Sequence, residues 1–419
     1  MSFKNLKLGD HLCGVLNGLG YNTPTDIQSQ AIPEIVAGND VLGIAQTGTG
    51  KTGAFCLPIL EQLLRGERKA QSKRPGVLVV APTRELVAQI LDETRKFVGS
   101  SWVRCCSVTG GVSQRPQERT LARGVEVLIA TPGRLLDLAS NGHVDLGHVS
   151  HFVLDEADQL LDMGFIRDVR RIVKLLPNDR QSLLFSATMP NEVEKLAAQI
   201  LKQPTRLEVT PRAVTVDKVQ QGYVSVPISE KQSALQTLLH LPEVRKAIVF
   251  TRTKHGANRV AKKLDKLGLG VEVIHGNKSQ NARNRALENF KSGDAWVLVA
   301  TDVAARGIDI PEVTHVINFE LPHEPEVYVH RIGRTARAGA SGVAWSLVDP
   351  EELSRLKSIE RMTKVKPRRF EVSSDDSAMF EGENAQATTE TPSDIEPRRK
   401  RRRRRGRGKA GKKTARKAA

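Results

Sequence analysis

VLGIAQTGTGKT, residues 41–52, sets a short apolar run against a glycine-rich loop that ends in Lys-Thr and opens a predicted helix. Gly48 and Gly50 let backbone N–H groups point at phosphate oxygens, and the helix N-terminus adds partial positive charge. Lys51 is placed to reach β- and γ-phosphates, and the Thr52 hydroxyl to ligate Mg²⁺. Ala45 stands where the general pattern begins with Gly, so the candidate nucleotide-binding set is Ala45, Gln46, Thr47, Gly48, Thr49, Gly50, Lys51 and Thr52. A glycine-rich turn that merely caps a helix is the plainer alternative. The order strand, loop, Lys-Thr and helix argues against it.

Outward from this loop, short apolar runs recur: VLVVAP at 77–82, VEVLIATP at 125–132, HFVLDEAD at 151–158 and SLLFSAT at 182–188. A second series follows, with KAIVFTR at 246–252, VEVIHG at 271–276, AWVLVATD at 295–302 and HVINFELP at 315–322. Stretches with helical spacing lie between them. Runs apolar on both faces and alternating with helices predict an α/β fold of two parallel sheets flanked by helices. Nearly every run ends in small, polar or charged residues, which in open α/β sheets is where ligands bind. Six such ends, shared between the two series, imply two sites facing a common cleft. DEAD at 155–158 supplies a carboxylate, Asp155, as a second Mg²⁺ anchor, and Glu156 to orient or deprotonate the attacking water. Together with the loop it points to a nucleotide hydrolase.

Charge divides the chain further. Residues 398–417 hold 14 Lys or Arg and no acid, while 371–396 hold 8 acids and no Lys or Arg. Removing both sets from the net +17 leaves residues 1–370 at +11, so a polyanionic partner fits the folded part by itself. The acidic stretch lacks the branched apolar residues needed to build a core and is expected to be disordered. The four cysteines form no CxxC pair and suit a reducing compartment. The N-terminus shows no secretory pattern, and no apolar run approaches the ~20 residues that span a bilayer, so the expectation is a soluble, cytoplasmic protein with no membrane partner. The domains expected are 1–210, a linker at 211–218, 219–367, and a disordered acidic then basic tail at 368–419.

Further motifs bring a resemblance. GYNTPTDIQ at 20–28, PTREL at 82–86, Gly110–Gly111, TPGR at 131–134, SAT at 186–188, VFTR at 249–252, HGNKSQNAR at 275–283, ATDVAARGIDI at 300–310 and HRIGRTARAG at 330–339 occur in the order found in DEAD-box RNA helicases. Over residues 1 to about 367 the chain resembles that family; its compact core and tail are similar to the bacterial RhlE-like branch. The resemblance implies two tandem RecA-like domains, with ATP and Mg²⁺ as cofactors. It implies adenine recognition by Gln28 within a segment spanning about 3–31, with Phe3 able to stack on the ring, and Asp309 near the ribose. It implies RNA contacts through Thr83, Arg84, Gly111, Thr131, Arg134, Arg252, Gln280, Arg283 and Thr301. It also implies arginine fingers at Arg334 and Arg337, with His330 coupling that loop to the first domain. Ala336 departs from the family, which has Gly there. Each motif alone reads as a turn, a cap or a solvated charge; nine in family order do not.

The function expected is ATP-driven local unwinding or remodelling of RNA duplexes and RNA–protein complexes, without sequence reading. Ribosomal or mRNA-decay assemblies are possible settings. Two competing readings are a DNA helicase on the same fold and an RNA chaperone or annealing protein driven by the basic tail.

Overall fold

The computed structural model describes residues 2–46, 48–66, 71–209, 219–302, 312–336, 342–372 and 378–380. Thr47, the expected linker at 211–218, Asp309, Arg337 and nearly all of the expected tail lie outside them. Two sheets organise the rest. The first contains β1 (Val41–Ile44), β2 (Val77–Val80), β3 (Cys105–Val108), β4 (Val127–Ala130), β5 (His151–Leu154), β6 (Gln181–Ser186) and β7 (Thr205–Glu208), in the order β3-β4-β2-β5-β6-β1-β7. The second contains β8 (Val219–Ser225), β9 (Ala247–Thr251), β10 (Val271–Ile274), β11 (Val297–Thr301), β12 (His315–Asn318), β13 (Gly342–Val348), β14 (Arg368–Val372) and β15 (Ala378–Phe380). Its order is β10-β11-β9-β12-β13-β8-β14-β15, the order of the first sheet with one strand added. All pairings are parallel except that of β15 with β14.

The doubly apolar runs become central strands because successive side chains feed opposite faces. In β2, Val77 and Val79 enter one core while Leu78 and Val80 enter the other. In β9, Ala247 and Val249 go to one face, and Ile248 and Phe250 to the opposite face. Helices cover both faces of each sheet, so polar chemistry is displaced to the strand ends.

The second lobe runs past residue 367, where the sequence reading ended it. Arg368 and Arg369 pair with Gly222 and Tyr223 of β8. Phe370 is buried against Trp345, with ring centroids 5.8 Å apart. One buried aromatic among basic and acidic neighbours gives too little periodicity to mark a strand in sequence.

The duplicated topology places a histidine first in β5 and first in β12. His151 pairs in register with Val77 of β2, and His315 with Ala247 of β9, at matching positions of the two sheets. Burial pushes both imidazoles down to about 4. A depressed histidine is neutral in the folded chain, whereas the unfolded chain takes up its proton near 6.5. Stability is therefore retained above that value and lost as pH falls from about 6.5 toward 4. We expect a loss of about 1–2 kcal/mol per histidine by pH 5. Urea unfolding of the wild type and of His315→Phe across pH 5–7.5 checks this; parallel stability curves would rule the histidine out.

Candidate active site

β1 ends at Ile44, and the backbone N–H of Ala45 donates to the Ser186 carbonyl at 2.9 Å, so the phosphate loop starts from a fixed point on β6. Gly48 and Gly50 take φ of +86° and +90°, the left-handed region that glycine enters without a Cβ clash. A Cβ at Gly50 would lie 2.7 Å from Gln28 Nε2 and 2.9 Å from Thr25 Oγ1. Helix Lys51–Gly66 begins at the loop, and its first residue is only 6 % exposed. Lys51 Nζ is buried without a hydrogen-bond partner among the described residues. A buried ammonium without a hydrogen-bond partner suits an anionic ligand.

Two strands away, β5 ends at Leu154 and delivers Asp155 and Glu156, both 2 % exposed. Glu156 adopts φ +52°, ψ +54° as N-cap of helix Ala157–Asp162, and its N–H donates to Asp155 Oδ1 at 2.9 Å. Burial raises the pKa of both carboxyls, with the nearby Lys51 charge opposing it. Glu156 is pushed up to about 7, which suits a proton acceptor working near neutral pH. Asp158 ties this turn to the next strand end. Its Oδ2 accepts from Thr188 N at 2.9 Å and from Thr188 Oγ1 at 2.8 Å, while the Asp158 N–H donates to Ser186 Oγ at 3.2 Å.

The second lobe faces this pocket through helix Pro325–Ile332 and the turn after it. The Arg334 charge opposes the rise of the Glu156 pKa, so a cation from the second lobe acts on a carboxylate of the first. A cleft of roughly 710 Å³ between them is lined by Gln46 and Thr188 on one side and His330, Gly333 and Arg334 on the other. Arg331 next to them is 1 % exposed. Its Nε and Nη2 grip Asp302 at 2.5 and 2.9 Å, its Nη1 donates to Asn318 Oδ1 and the Glu320 carbonyl, and it lies over Phe250.

Ala336 sits in this turn at φ +56°. A left-handed alanine costs about 1–2 kcal/mol. Its half-buried methyl and its lower freedom in the unfolded chain offset most of that. We therefore expect Ala336→Gly to change stability by less than about 0.5 kcal/mol and leave turnover intact, and Ala336→Val to cost on the order of 2 kcal/mol. Thermal unfolding of both variants decides; a tolerated valine would contradict the strained turn.

A second cleft, of roughly 800 Å³, is lined by Thr83, Arg84, Gly110, Thr131 and Arg134 of the first lobe and by Gly276, Lys278 and Arg283 of the second. Arg84 Nη1 donates to Gln280 Oε1 at 3.2 Å, and Gln280 Nε2 donates to Glu85 Oε1 at 2.8 Å. Arg283 pairs with Glu85 Oε2 at 3.0 Å. The Arg84 guanidinium lies over Gly111, where a Cβ would fall 1.8 Å from Nη1, and Gly111 has φ +74°. Arg134 pairs with Asp137 at 3.7 Å, and Arg252 with Glu320 at 3.7 Å. Thr83 caps helix Arg84–Val98, Thr131 is the N-cap of helix Pro132–Ser140, and Thr301 ends β11.

The model for the DEAD/DEAH box helicase family matches residues 25–196, and that for the helicase conserved C-terminal domain matches residues 230–339. The chain is 42% identical over 378 residues to the DEAD-box ATP-dependent RNA helicase CshA of Geobacillus kaustophilus, covering 90% of this chain and 80% of that protein. CshA of Bacillus subtilis is 41% identical over 390 residues, covering 93% and 78%. The chain belongs to the DEAD-box ATP-dependent RNA helicases. Among solved structures, S. cerevisiae Dbp5 bound to RNA and ADP BeF3 superposes with a TM-score of 0.79 at 31% identity, over 88% of this chain and 95% of that one. The DEAD-box helicase Mss116 bound to ssRNA and UDP-BeF gives 0.80 at 29% identity, over 90% and 81%.

In this DEAD-box protein Gln46 of the phosphate loop shares a cleft with His330 and Arg334, and Lys51 lies close enough to Asp155 and Glu156 to favour their charged forms. Two expected adenine contacts look different in the structure. Phe3 is 5 % exposed and packs in the first core, so its ring offers little surface for stacking. Gln28 is also 5 % exposed; its Oε1 accepts from Thr25 N at 3.0 Å and its Nε2 donates to the Gly50 carbonyl at 3.1 Å. One lone pair and one N–H of the amide stay available to a base. Sequence reasoning passed over Asp158 and Glu85, the two acids that join neighbouring motifs. Their signal was present only as single letters inside DEAD and PTREL.

Proposed function

We propose that the helicase binds ATP in the first cleft and RNA across the second, and that closure of the two lobes couples hydrolysis to strand separation. The observation that carries this is the cleft lined by Gln46 and Thr188 of the first lobe and by His330, Gly333 and Arg334 of the second. Lys51 would bind the β- and γ-phosphates, Glu156 would orient and deprotonate water, and Arg334 would neutralise charge developing on the transferred phosphoryl group. The buried Asp155 carboxylate and the Thr52 hydroxyl are hard oxygen donors that fit Mg²⁺, which usually takes one or two carboxylates plus nucleotide phosphates. When bound, the ion supplies positive charge against the phosphates. Gln28 would read the adenine edge with the second valences of its amide.

RNA as the polymer is supported by the RNA in the Dbp5 and Mss116 structures and by the basic residues along the second cleft. Arg84, Arg134, Arg252, Gln280 and Arg283 would grip phosphates and 2′-hydroxyls, and Thr83, Gly111, Thr131 and Thr301 would shape the backbone path. The Glu85 pairs would then exchange with RNA as it enters. Four free cysteines and the absence, among the described residues, of any helix long and apolar enough to cross a membrane agree with a cytoplasmic setting.

Single-stranded RNA should raise ATP turnover far more than single-stranded DNA of the same length. Equal stimulation by both would favour the DNA helicase reading. Truncation after Phe380, which keeps β14 and β15, should leave RNA-saturated turnover within about twofold and raise the RNA concentration needed at 0.2 M salt by about tenfold or more. Loss of turnover on truncation would favour the tail-driven annealer.

A further inference from the structure

Arg252 directly follows β9, and Glu320 stands just beyond β12, the strand paired in parallel with β9. The Glu320 side chain reaches across to this neighbour. Its Oε2 accepts from the Arg252 backbone N–H at 2.8 Å, and its Oε1 lies 3.7 Å from Arg252 Nη2. One carboxylate therefore holds both the main chain and the guanidinium of the same arginine. Glu320 is itself anchored: its N–H donates to the Phe250 carbonyl at 3.4 Å, and its carbonyl accepts from Arg331 Nη1 at 2.7 Å. The plainer role for such an acid is to cap helix Lys254–Asp265. That helix already has its cap, since Thr253 Oγ1 accepts from Gly256 N at 3.0 Å.

Arg252 belongs to a row of strand ends. β10, β11 and β9 are adjacent and parallel, so His275 and Lys278, Thr301, and Arg252 follow their carboxyl ends side by side. Burial, and after it the charges of Lys278, Lys254, His255 and Arg283, lower the His275 pKa, so cations crowd this surface. By its charge alone, an acid placed there weakens the attraction for a polyanion. By its geometry it does the opposite. A free arginine side chain loses rotamer freedom when it grips a phosphate, and ordering it beforehand lowers that cost. The ion pair engages one guanidinium nitrogen, which leaves the rest of the fork for a phosphate. With 27 % of its side chain exposed, Arg252 is within reach of one.

We propose that Glu320 is a positioning residue for RNA binding, its carboxylate holding Arg252 in the orientation that meets an RNA phosphate. The inference rests on the reading of Arg252 as an RNA contact. Only the side chain serves this purpose; the Glu320 carbonyl that holds Arg331 survives any substitution.

The test is poly(U)-stimulated ATP turnover at several salt concentrations for Glu320→Ala, Glu320→Gln, Arg252→Ala and the double alanine variant. Glu320→Ala should raise the half-saturating poly(U) concentration about tenfold, while kcat at saturating RNA and half-saturating ATP stay within about twofold of wild type. Its plot of log affinity against log salt should flatten by up to about 0.7, the share of one phosphate contact on a single strand. Glu320→Gln keeps an acceptor for the Arg252 N–H and should stay within about threefold of wild type. In the Arg252→Ala background the Glu320 change should add less than about twofold. Poly(U) binding in Glu320→Ala as tight as wild type or tighter, beside a weakened Arg252→Ala, overturns the inference and leaves the RNA reading of Arg252 standing. So does a full further loss in the double variant, or a fall in kcat with half-saturating RNA unchanged. Wild-type half-saturation in Arg252→Ala removes the underlying reading instead. Should the alanine variant fold poorly, Glu320→Met, of similar length and without the carboxylate, replaces it under the same criteria.

Discussion

Glu156→Gln should reduce ATP turnover by on the order of 10³-fold while ATP and RNA remain bound together. The change is nearly isosteric, so the left-handed N-cap turn that aims the side chain should persist. What disappears is the proton acceptor. Burial places the native carboxyl near neutral pH, with Lys51 and Arg334 favouring its charged form. An amide has no such form at any pH. The binding groups, Lys51 and the loop backbone, are untouched, so the variant should stall as a closed complex. Filter binding of labelled RNA with ATP, run beside a phosphate-release assay, separates the two effects. Turnover within a few-fold of wild type would remove Glu156 from the chemistry.

Arg334→Ala should also cost on the order of 10³-fold in RNA-saturated turnover, with a different signature. Its guanidinium belongs to the second lobe, so removing it leaves the first lobe's pocket whole. Nucleotide affinity without RNA should therefore hardly change. The loss should appear only when RNA brings the lobes together, which makes the ratio of stimulated to basal activity the diagnostic quantity. Because the lost charge opposed the high pKa of Glu156, that carboxyl should rise further, and residual activity should shift its rising limb to higher pH. A uniform drop with and without RNA would mean that Arg334 serves the first lobe's fold and not closure.

Much of this site was legible in the sequence because its chemistry sits where strands end. The loop at 45–52, DEAD at 155–158 and SAT at 186–188 each follow an apolar run, and β1, β5 and β6 lie side by side in the sheet. Parallel strands buried on both faces announce themselves as apolar runs, and their polar ends stand out against them. What stayed hidden was the partnership between residues distant in sequence. Nothing in PTREL says that Glu85 will meet Gln280 and Arg283, and nothing in GYNTPTDIQ says that the Gln28 amide will also donate to the Gly50 carbonyl. Such pairings depend on how loops fold back, and a single chain's letters do not encode that locally. The strand at Arg368–Val372 was missed because it carries one large apolar side chain, Phe370, and that residue is buried through its contact with Trp345.

The position of that late strand decides what the chain's end is attached to. Since β14 is zipped onto β8, the chain runs on toward its C-terminus from the arginine-bearing lobe. A polynucleotide held by the run at 398–417 would stay leashed to one half of the machine when the halves part. Each new cycle would then begin from a tethered substrate and not from free diffusion.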